Sequence, residues 1–291
     1  MAKAPAFPRT RIENLSVSRM IIGTNWMLGY SHQTVARNDL IKRMHTAKSM
    51  ADILEVFLKA GVDTMMGPFF LRNGGNQVQM VDAVKDAQYR TGKKITIIAT
   101  PGFFLEGTAK ADADNEQTLD DMAKIGADIC MPHQSATDAL LDIRGRRFDP
   151  YMTKICKGIR ARGMIPGLST HAPESIIYAD ESGLDVATYI SLYNAIGFLM
   201  HVEIDWIQKV IWGAKNPVLT IKPMAAGRLP PLVGLAFAWS TIRPKDMVTV
   251  GCTTPDEARE CIDISLGILN GTGPQVELQR TRSKASIEKK K

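Results

Sequence analysis

Short apolar runs bounded by turn residues recur along the chain: Met20 to Gly23, Thr64 to Met66, Ile95 to Ala99, Ile129 to Met131, Met164 to Leu168, Thr188 to Leu192, Val218 to Ile221 and Met247 to Val250. They are continuously apolar rather than alternating, which predicts strands buried on both faces. Helical patterns separate them at Met50 to Lys59, Gln77 to Tyr89, Asn115 to Lys124, Tyr151 to Arg162, Ile204 to Ala214 and Pro255 to Leu269. Thr254-Pro255-Asp256-Glu257 is a helix start, with threonine as cap, proline in the first turn and acids facing the dipole. Gly61, Gly126 and Gly183 each stand between a helical pattern and an apolar run, where glycine can take the left-handed conformation that stops a helix.

Doubly buried strands alternating with helices about every 30 residues predict an α/β fold, a single (β/α)8 TIM barrel. No Gly-x-Gly-x-x-Gly follows the first strand, which argues against a doubly wound dinucleotide fold. No linker divides the chain, so the expected organisation is a barrel over 1–271 and a basic tail over 272–291. The segments Gly67 to Asn76, Gly102 to Asp114 and Tyr193 to Glu203 read as long rim loops.

Composition changes this picture little. The formal net charge of the 291 residues is +6, but the last twelve carry +5 through Arg280, Arg282, Lys284, Lys289, Lys290 and Lys291 against Glu288. A basic end without interleaved aromatics reads as a solvated terminus, and no nucleic-acid partner is expected. Cys130, Cys156, Cys252 and Cys261 lack any Cys-x-x-Cys spacing and suit a reducing compartment. No stretch approaches the ~18 uninterrupted apolar residues of a membrane span, and residues 1–10 lack the apolar core of a cleaved signal. The expectation is a cytoplasmic protein with no membrane contact, a small-molecule substrate, and room for a homo-oligomer.

The candidate chemistry sits where strands end. Parallel barrel strands deliver their C-terminal ends to one rim, so His32, His133, His171 and His201, each following a different strand or lying in its loop, can converge there. With Glu203 or Asp205 as a hard oxygen ligand, His32, His133, His171 and Glu203 form a candidate divalent-metal set. The alternative is that His133 and His171 bond to backbone at the strand ends and that His32 and His201 are exposed polar residues. His45 lies in a charged helical stretch and is expected to face solvent. Lys222 closes the seventh strand and can hold negative charge, form an imine, or pair with a rim acid. Asn25, Trp26, Tyr30, Tyr193 and Asn194 offer an aromatic wall with hydrogen bonds for a polyhydroxylated or carbonyl substrate. Gly227 and Arg228 after the seventh strand partly supply a phosphate cradle.

Several segments keep the order of the aldo/keto reductases. Arg9 to Ser18 followed by Ile22-Gly23-Thr24 resembles that family's entry, a short N-terminal hairpin leading into a Gly-Thr first strand. Met131-Pro132-His133 resembles the fourth-strand motif bearing the tetrad histidine. Gly167-Leu168-Ser169-Thr170 resembles the fifth-strand motif whose polar pair holds the nicotinamide amide, Tyr193-Asn194 the Tyr-Asn after the sixth strand, Lys222 to Gly227 the pyrophosphate loop, and Gly251 to Pro255 the turn near the adenosine phosphate. The resemblance thus implies NAD(P) contacts from Ser169, Thr170, Gly227, Arg228, Thr253 and Thr254. It also implies that the catalytic tetrad is incomplete. Met66 stands at the aspartate position, Leu71 near the tyrosine position, and Ala99-Thr100-Pro101 where the lysine is expected, leaving only His133. Aliphatic side chains can neither donate a proton to a reduced carbonyl nor tune a donor.

These readings predict a barrel enzyme with a rebuilt site, in which His133, His171 and Lys222 act on a sugar or hydroxy-carbonyl compound by acid/base or metal-assisted isomerisation, elimination or hydrolysis. One alternative is an NAD(P)-dependent oxidoreductase, with NAD preferred because Asp256 and Glu257 stand where cations would grip a 2′-phosphate. A second is a non-catalytic scaffold.

Overall fold

The computed structural model describes residues 6–69, 76–273, 276, 278–279, 281–284 and 287. A two-stranded antiparallel hairpin, β1 (Arg9–Ile12) and β2 (Leu15–Ser18), precedes the barrel strands β3 (Met20–Gly23), β4 (Thr64–Gly67), β5 (Thr96–Ala99) and β6 (Ile129–Cys130). A small antiparallel pair, β7 (Leu141–Asp142) and β8 (Arg147–Phe148), lies outside the ring. Next come β9 (Ile165–Pro166), β10 (Leu168–Ser169), β11 (Tyr189–Leu192), β12 (Val218–Ile221) and β13 (Met247–Gly251).

All ring pairings are parallel, in the order β10-β11-β12-β13-β3-β4-β5-β6-β9. β9 and β10 are one barrel strand broken at Gly167. Its first half pairs with β6, through Ile129 opposite Ile165, and its second with β11, through Leu168 opposite Tyr189. A Cβ on Gly167 would stand 2.6 Å from Met131 Cε and 2.8 Å from the Thr188 carbonyl oxygen, so this junction has no room for a side chain. The result is the expected TIM barrel with an N-terminal hairpin.

Strand parity sorts the core into two layers. Ile21, Ile98, Ile129, Ile190, Leu219 and Met247 fill the barrel interior, closed by Ile12 and Val17 of the hairpin. Their neighbours Met20, Ile22, Ile97, Val218 and Val248 point outward into the shell shared with the helices. Beside the start of β13, the buried Arg243 guanidinium donates to both oxygens of the fully buried Asp246 (2.8 Å each), and Asp246 Oδ1 also accepts from the Val218 amide at 2.9 Å. This satisfied ion pair holds β12 and β13 in register.

The helices are α1 (Asn25–Leu28), α2 (Val35–Met44), α3 (Ala47–Lys59), α4 (Asn76–Thr91), α5 (Ala109–Lys124), α6 (Gln134–Ala139), α7 (Pro150–Ala161), α8 (Glu174–Ser182), α9 (Ile204–Gly213), α10 (Pro231–Thr241) and α11 (Pro255–Leu269). Two expectations are corrected. The segment from Gly102 to Asp114 is a loop only to Thr108, whose hydroxyl accepts from the Ala111 amide at 3.1 Å and starts α5 six residues earlier than expected. His45 does not face solvent: it caps the C-terminus of α2, is 4% exposed, and has a pKa lowered chiefly by burial, with Glu257 opposing. No described helix is long and apolar enough to cross a membrane.

Candidate active site

Because the strands are parallel, their C-terminal ends share one rim. A cavity of about 610 Å³ opens there between the ends of β3, β12 and β13. Asn25, Trp26, His32, Lys222, Gly227 and Arg228 line it, so six of the residues singled out in the sequence meet in one hollow. Met66, expected from the resemblance at the aspartate position, also lines it. Leu71 lies outside the described residues.

Lys222 follows β12 with φ 60°, in the left-handed region that side chains rarely adopt, and Ala225 (φ 48°), Ala226 (φ 56°) and His32 (φ 57°) share that region around the same cavity. Each such residue costs on the order of 1–3 kcal/mol, which the surrounding structure must impose. Among the described residues Nζ of Lys222 has no hydrogen-bond or ion-pair partner, and burial alone lowers its pKa to about 8. The His32 Nδ1–H donates to the Tyr30 carbonyl at 3.0 Å, which leaves Nε2 as the acceptor of the neutral ring. Desolvation and then the charge of Lys222 lower the His32 pKa.

His133 and His171 are held to one helix. His133 N-caps α6, its Nδ1 accepting from the Ser135 amide at 3.3 Å, so its neutral ring carries the proton on Nε2. Just past the first turn, Asp138 of α6 accepts from the His171 amide at 3.1 Å and from the Thr170 hydroxyl. Burial lowers the His133 pKa, opposed by Asp138 and reinforced by Lys222. The His171 pKa falls to about 4 through burial and then the charges of Lys222, His201, His133 and His32. Groups from four other loops therefore act on one imidazole.

His133 and His171 are not on the cavity lining, and the remaining sequence candidates stand elsewhere too. Tyr193 has the outward parity of Tyr189, is 1% exposed, and lays its ring on Phe237 with centroids 4.9 Å apart. The fully buried Asn194 braces its own loop, accepting from the Phe198 amide at 2.8 Å and donating to the Phe198 carbonyl at 3.0 Å. Tyr30 lies outside the cavity lining, its hydroxyl accepting from Gln77 at 3.4 Å. The Thr170 hydroxyl is committed to Asp138, the Ala172 carbonyl and Ser175, while Ser169 is buried at the end of β10. Thr254 caps α11, and the Thr253 amide and hydroxyl both donate to Glu257 Oε2, at 2.7 and 2.8 Å. Glu203 is exposed at the start of α9. Among the described residues no three His, Cys, Asp or Glu side chains are grouped to hold a metal ion, so His32, His133, His171 and Glu203 do not form the anticipated ligand set.

The structure adds Arg37, Gln33 and Thr249 to the expected residues and shows the surroundings of Arg228 and Thr24. Arg37 lines the cavity with its guanidinium 5.6 Å from the Trp26 ring, and Arg228 sits 4.0 Å over Phe198; neither pairs with a carboxylate among the described residues. Gln33 donates to the Ala226 carbonyl at 2.7 Å and so ties the first loop to the seventh. The buried hydroxyls of Thr24 and Thr249, both on the cavity wall, lack partners among the described residues. Arg37 lies in a stretch with no apolar stripe, but Thr24 stood in the Gly-Thr motif and was legible there.

No family model matches the chain, and no curated protein matches it. Solved structures do. A protein assigned to the aldo-keto reductases of Pseudomonas aeruginosa superposes with a TM-score of 0.62 at 14% identity, over 90% of this chain and 96% of that one. A truncated 3-deoxy-D-arabino-heptulosonate 7-phosphate synthase from Thermotoga maritima gives 0.55 at 11% identity, over 94% and 96%. The Amycolatopsis orientalis BexX/CysO complex gives 0.54 at 15%, over 94% and 100%. The fold is thus an aldo-keto-reductase-like TIM barrel.

Proposed function

We propose that this chain is a TIM-barrel enzyme that moves protons on a small polar carbonyl or hydroxy-carbonyl compound, in an isomerisation or elimination at the rim. The observation that carries this reading is geometric: Lys222 and His32 share one cavity at the rim, and His133 and His171, both fixed to α6, stand close enough for the charge of Lys222 to lower the pKa of each. A neutral imidazole can accept a proton, and one whose other nitrogen is fixed by the backbone presents a defined edge. His133 and His171, close enough to Lys222 to feel its charge, would serve as the acid and base of the proton transfer. Lys222 supplies the positive charge on which the displaced electrons settle. Asn25 and the hydroxyls of Thr24 and Thr249, which have no partner among the described residues, can meet substrate hydroxyls, with Trp26 as an apolar wall.

The test is exchange of α-hydrogens of aldoses, ketoses and hydroxy-ketones in deuterated water, followed by proton NMR. The reading expects catalysed exchange that falls at least about a hundredfold on His133→Gln or His171→Gln. Full exchange in both variants would overturn it.

A second reading, a nicotinamide-dependent oxidoreductase, is favoured by the cavity's position at the ends of β3, β12 and β13. A dinucleotide would lay its phosphates along the Lys222 to Gly227 loop beside Arg228, where Gly227 has φ 83° and an added Cβ would stand 3.1 Å from Gln33 Nε2. Bound nicotinamide would supply hydride transfer, and His133 Nε2–H the proton. Titration of NADH fluorescence decides it: no binding at millimolar protein removes this reading.

A further inference from the structure

We propose that Lys222 is a covalent nucleophile that forms an imine with an aldehyde or ketone bearing an anionic group. This rests on the carbonyl-processing reading and specifies the role of its lysine.

Three features of the cavity carry the inference. First, Lys222 is held in place without being neutralised. Its backbone is fixed at φ 60° by the turn through Ala225 and Ala226, and its amine has no carboxylate or carbonyl partner among the described residues. A lysine kept for structure at a barrel rim would be expected to pair with an acid. Burial leaves an appreciable fraction of this amine neutral near pH 7 to 8, and only the neutral amine has the lone pair for addition. Second, His32 lines the same cavity, feels the charge of Lys222, and has its proton fixed on Nδ1 by the Tyr30 carbonyl, so Nε2 can relay protons. Third, Arg37 and Arg228 line the cavity with no ion pair among the described residues, while Glu257 is already bonded to Thr253. Glu260 also lines the cavity, but neither it nor Glu257 pairs with a guanidinium among the described residues, so Arg37 and Arg228 stay open to a phosphate or carboxylate on the same ligand.

The step balances as follows. Neutral Nζ adds to the carbonyl carbon, the π electrons move to oxygen, and a proton passes from nitrogen to that oxygen, giving a carbinolamine. Protonation of the hydroxyl through His32 Nε2 lets it leave as water, and the nitrogen lone pair forms the C=N bond. One water is lost and nothing is oxidised or reduced. The protonated imine keeps a positive charge where the ammonium stood and draws electrons from the adjacent carbon, so proton transfer there to a neighbouring imidazole becomes easier.

The experiment uses the full chain with dihydroxyacetone phosphate, glycolaldehyde phosphate and pyruvate as probes, quenched with borohydride, which reduces an imine to a stable secondary amine. Peptide mass mapping locates the adduct, and calorimetry measures binding in parallel. The proposal expects one dominant adduct on the peptide holding Lys222. It expects labelling there to fall at least about tenfold relative to surface lysines on Lys222→Arg, and trapping to slow on His32→Gln with the adduct still at Lys222. Circular dichroism of each variant shows that the fold is retained. Binding of a probe without trapping at Lys222 overturns the imine and leaves the carbonyl-processing reading standing. Neither binding nor trapping of any of the three overturns both.

Discussion

Asp138 Oδ2 accepts the backbone N–H of His171 at 3.1 Å, and this one contact ties together the loops that follow two different barrel positions. Asp138 belongs to α6, which His133 caps, so the spacing of the two histidines is set by a six-residue helix rather than by a flexible loop. The same carboxylate takes the Thr170 hydroxyl, which is why Thr170 anchors structure instead of facing the cavity.

Asp138→Asn should therefore loosen His171 and also lower the His133 pKa further, because the carboxylate is the group that raises it. The stability loss expected is about 1–3 kcal/mol, from a weakened half-buried charge-assisted pair. Chemical denaturation measures the first effect and histidine NMR titration the second; an unchanged or raised His133 pKa would count against the arrangement.

Lys222→Met should stabilise the fold. The lysine has a pKa of about 8 in the folded chain against an ordinary 10.5, so the unfolded chain holds the proton more tightly. Its penalty grows as pH falls from 10.5 to 8 and stays constant below. At pH 7 the variant should gain roughly 1–3 kcal/mol, and the gain should vanish by pH 10.5. Urea melts at pH 7 and pH 10 check both sign and pH dependence; destabilisation at pH 7 would mean that the amine has a partner.

Gly167→Ala should cost about 1–3 kcal/mol, since its methyl would meet Met131 and the Thr188 carbonyl where the broken strand joins β6 to β11. Thermal unfolding followed by far-UV circular dichroism measures the loss.

If a nicotinamide dinucleotide binds, NADH should bind at least about tenfold more tightly than NADPH, because a 2′-phosphate at the turn after β13 would approach the Glu257 carboxylate. Glu257→Gln should narrow that ratio. Equal affinities in the parent protein would show that the dinucleotide lies elsewhere.

Much of the barrel was legible because its strands are short, doubly apolar runs with turn residues at each end, and all eight ring positions fall where those runs lie. The break at Gly167 was not visible, since one apolar run can serve two neighbours only once the ring closes. α10 escaped because Pro231 to Thr241 is apolar on nearly every face and has no helical stripe, and α6 because it is too short to show a period. At the site, residues that end strands or follow them directly, such as His133, His171 and Lys222, were readable from punctuation. Tyr193 follows β11 just as directly, yet strand parity turns it outward onto Phe237, and parity at a strand's last residue depends on where the strand stops. Arg228 was anticipated after the seventh strand, whereas Arg37 reaches the cavity from the first turn of α2, a stretch with no apolar stripe to place it.

The most direct measurement is the titration of His171, followed by ¹H–¹³C NMR of ring-labelled histidine in the parent protein and in Lys222→Met. Imidazoles and a lysine sharing one mouth require His171 to titrate near pH 4, well below the ordinary 6.5, and to move upward when the lysine's charge is removed. Titration near 6.5 that is indifferent to Lys222→Met would contradict the account.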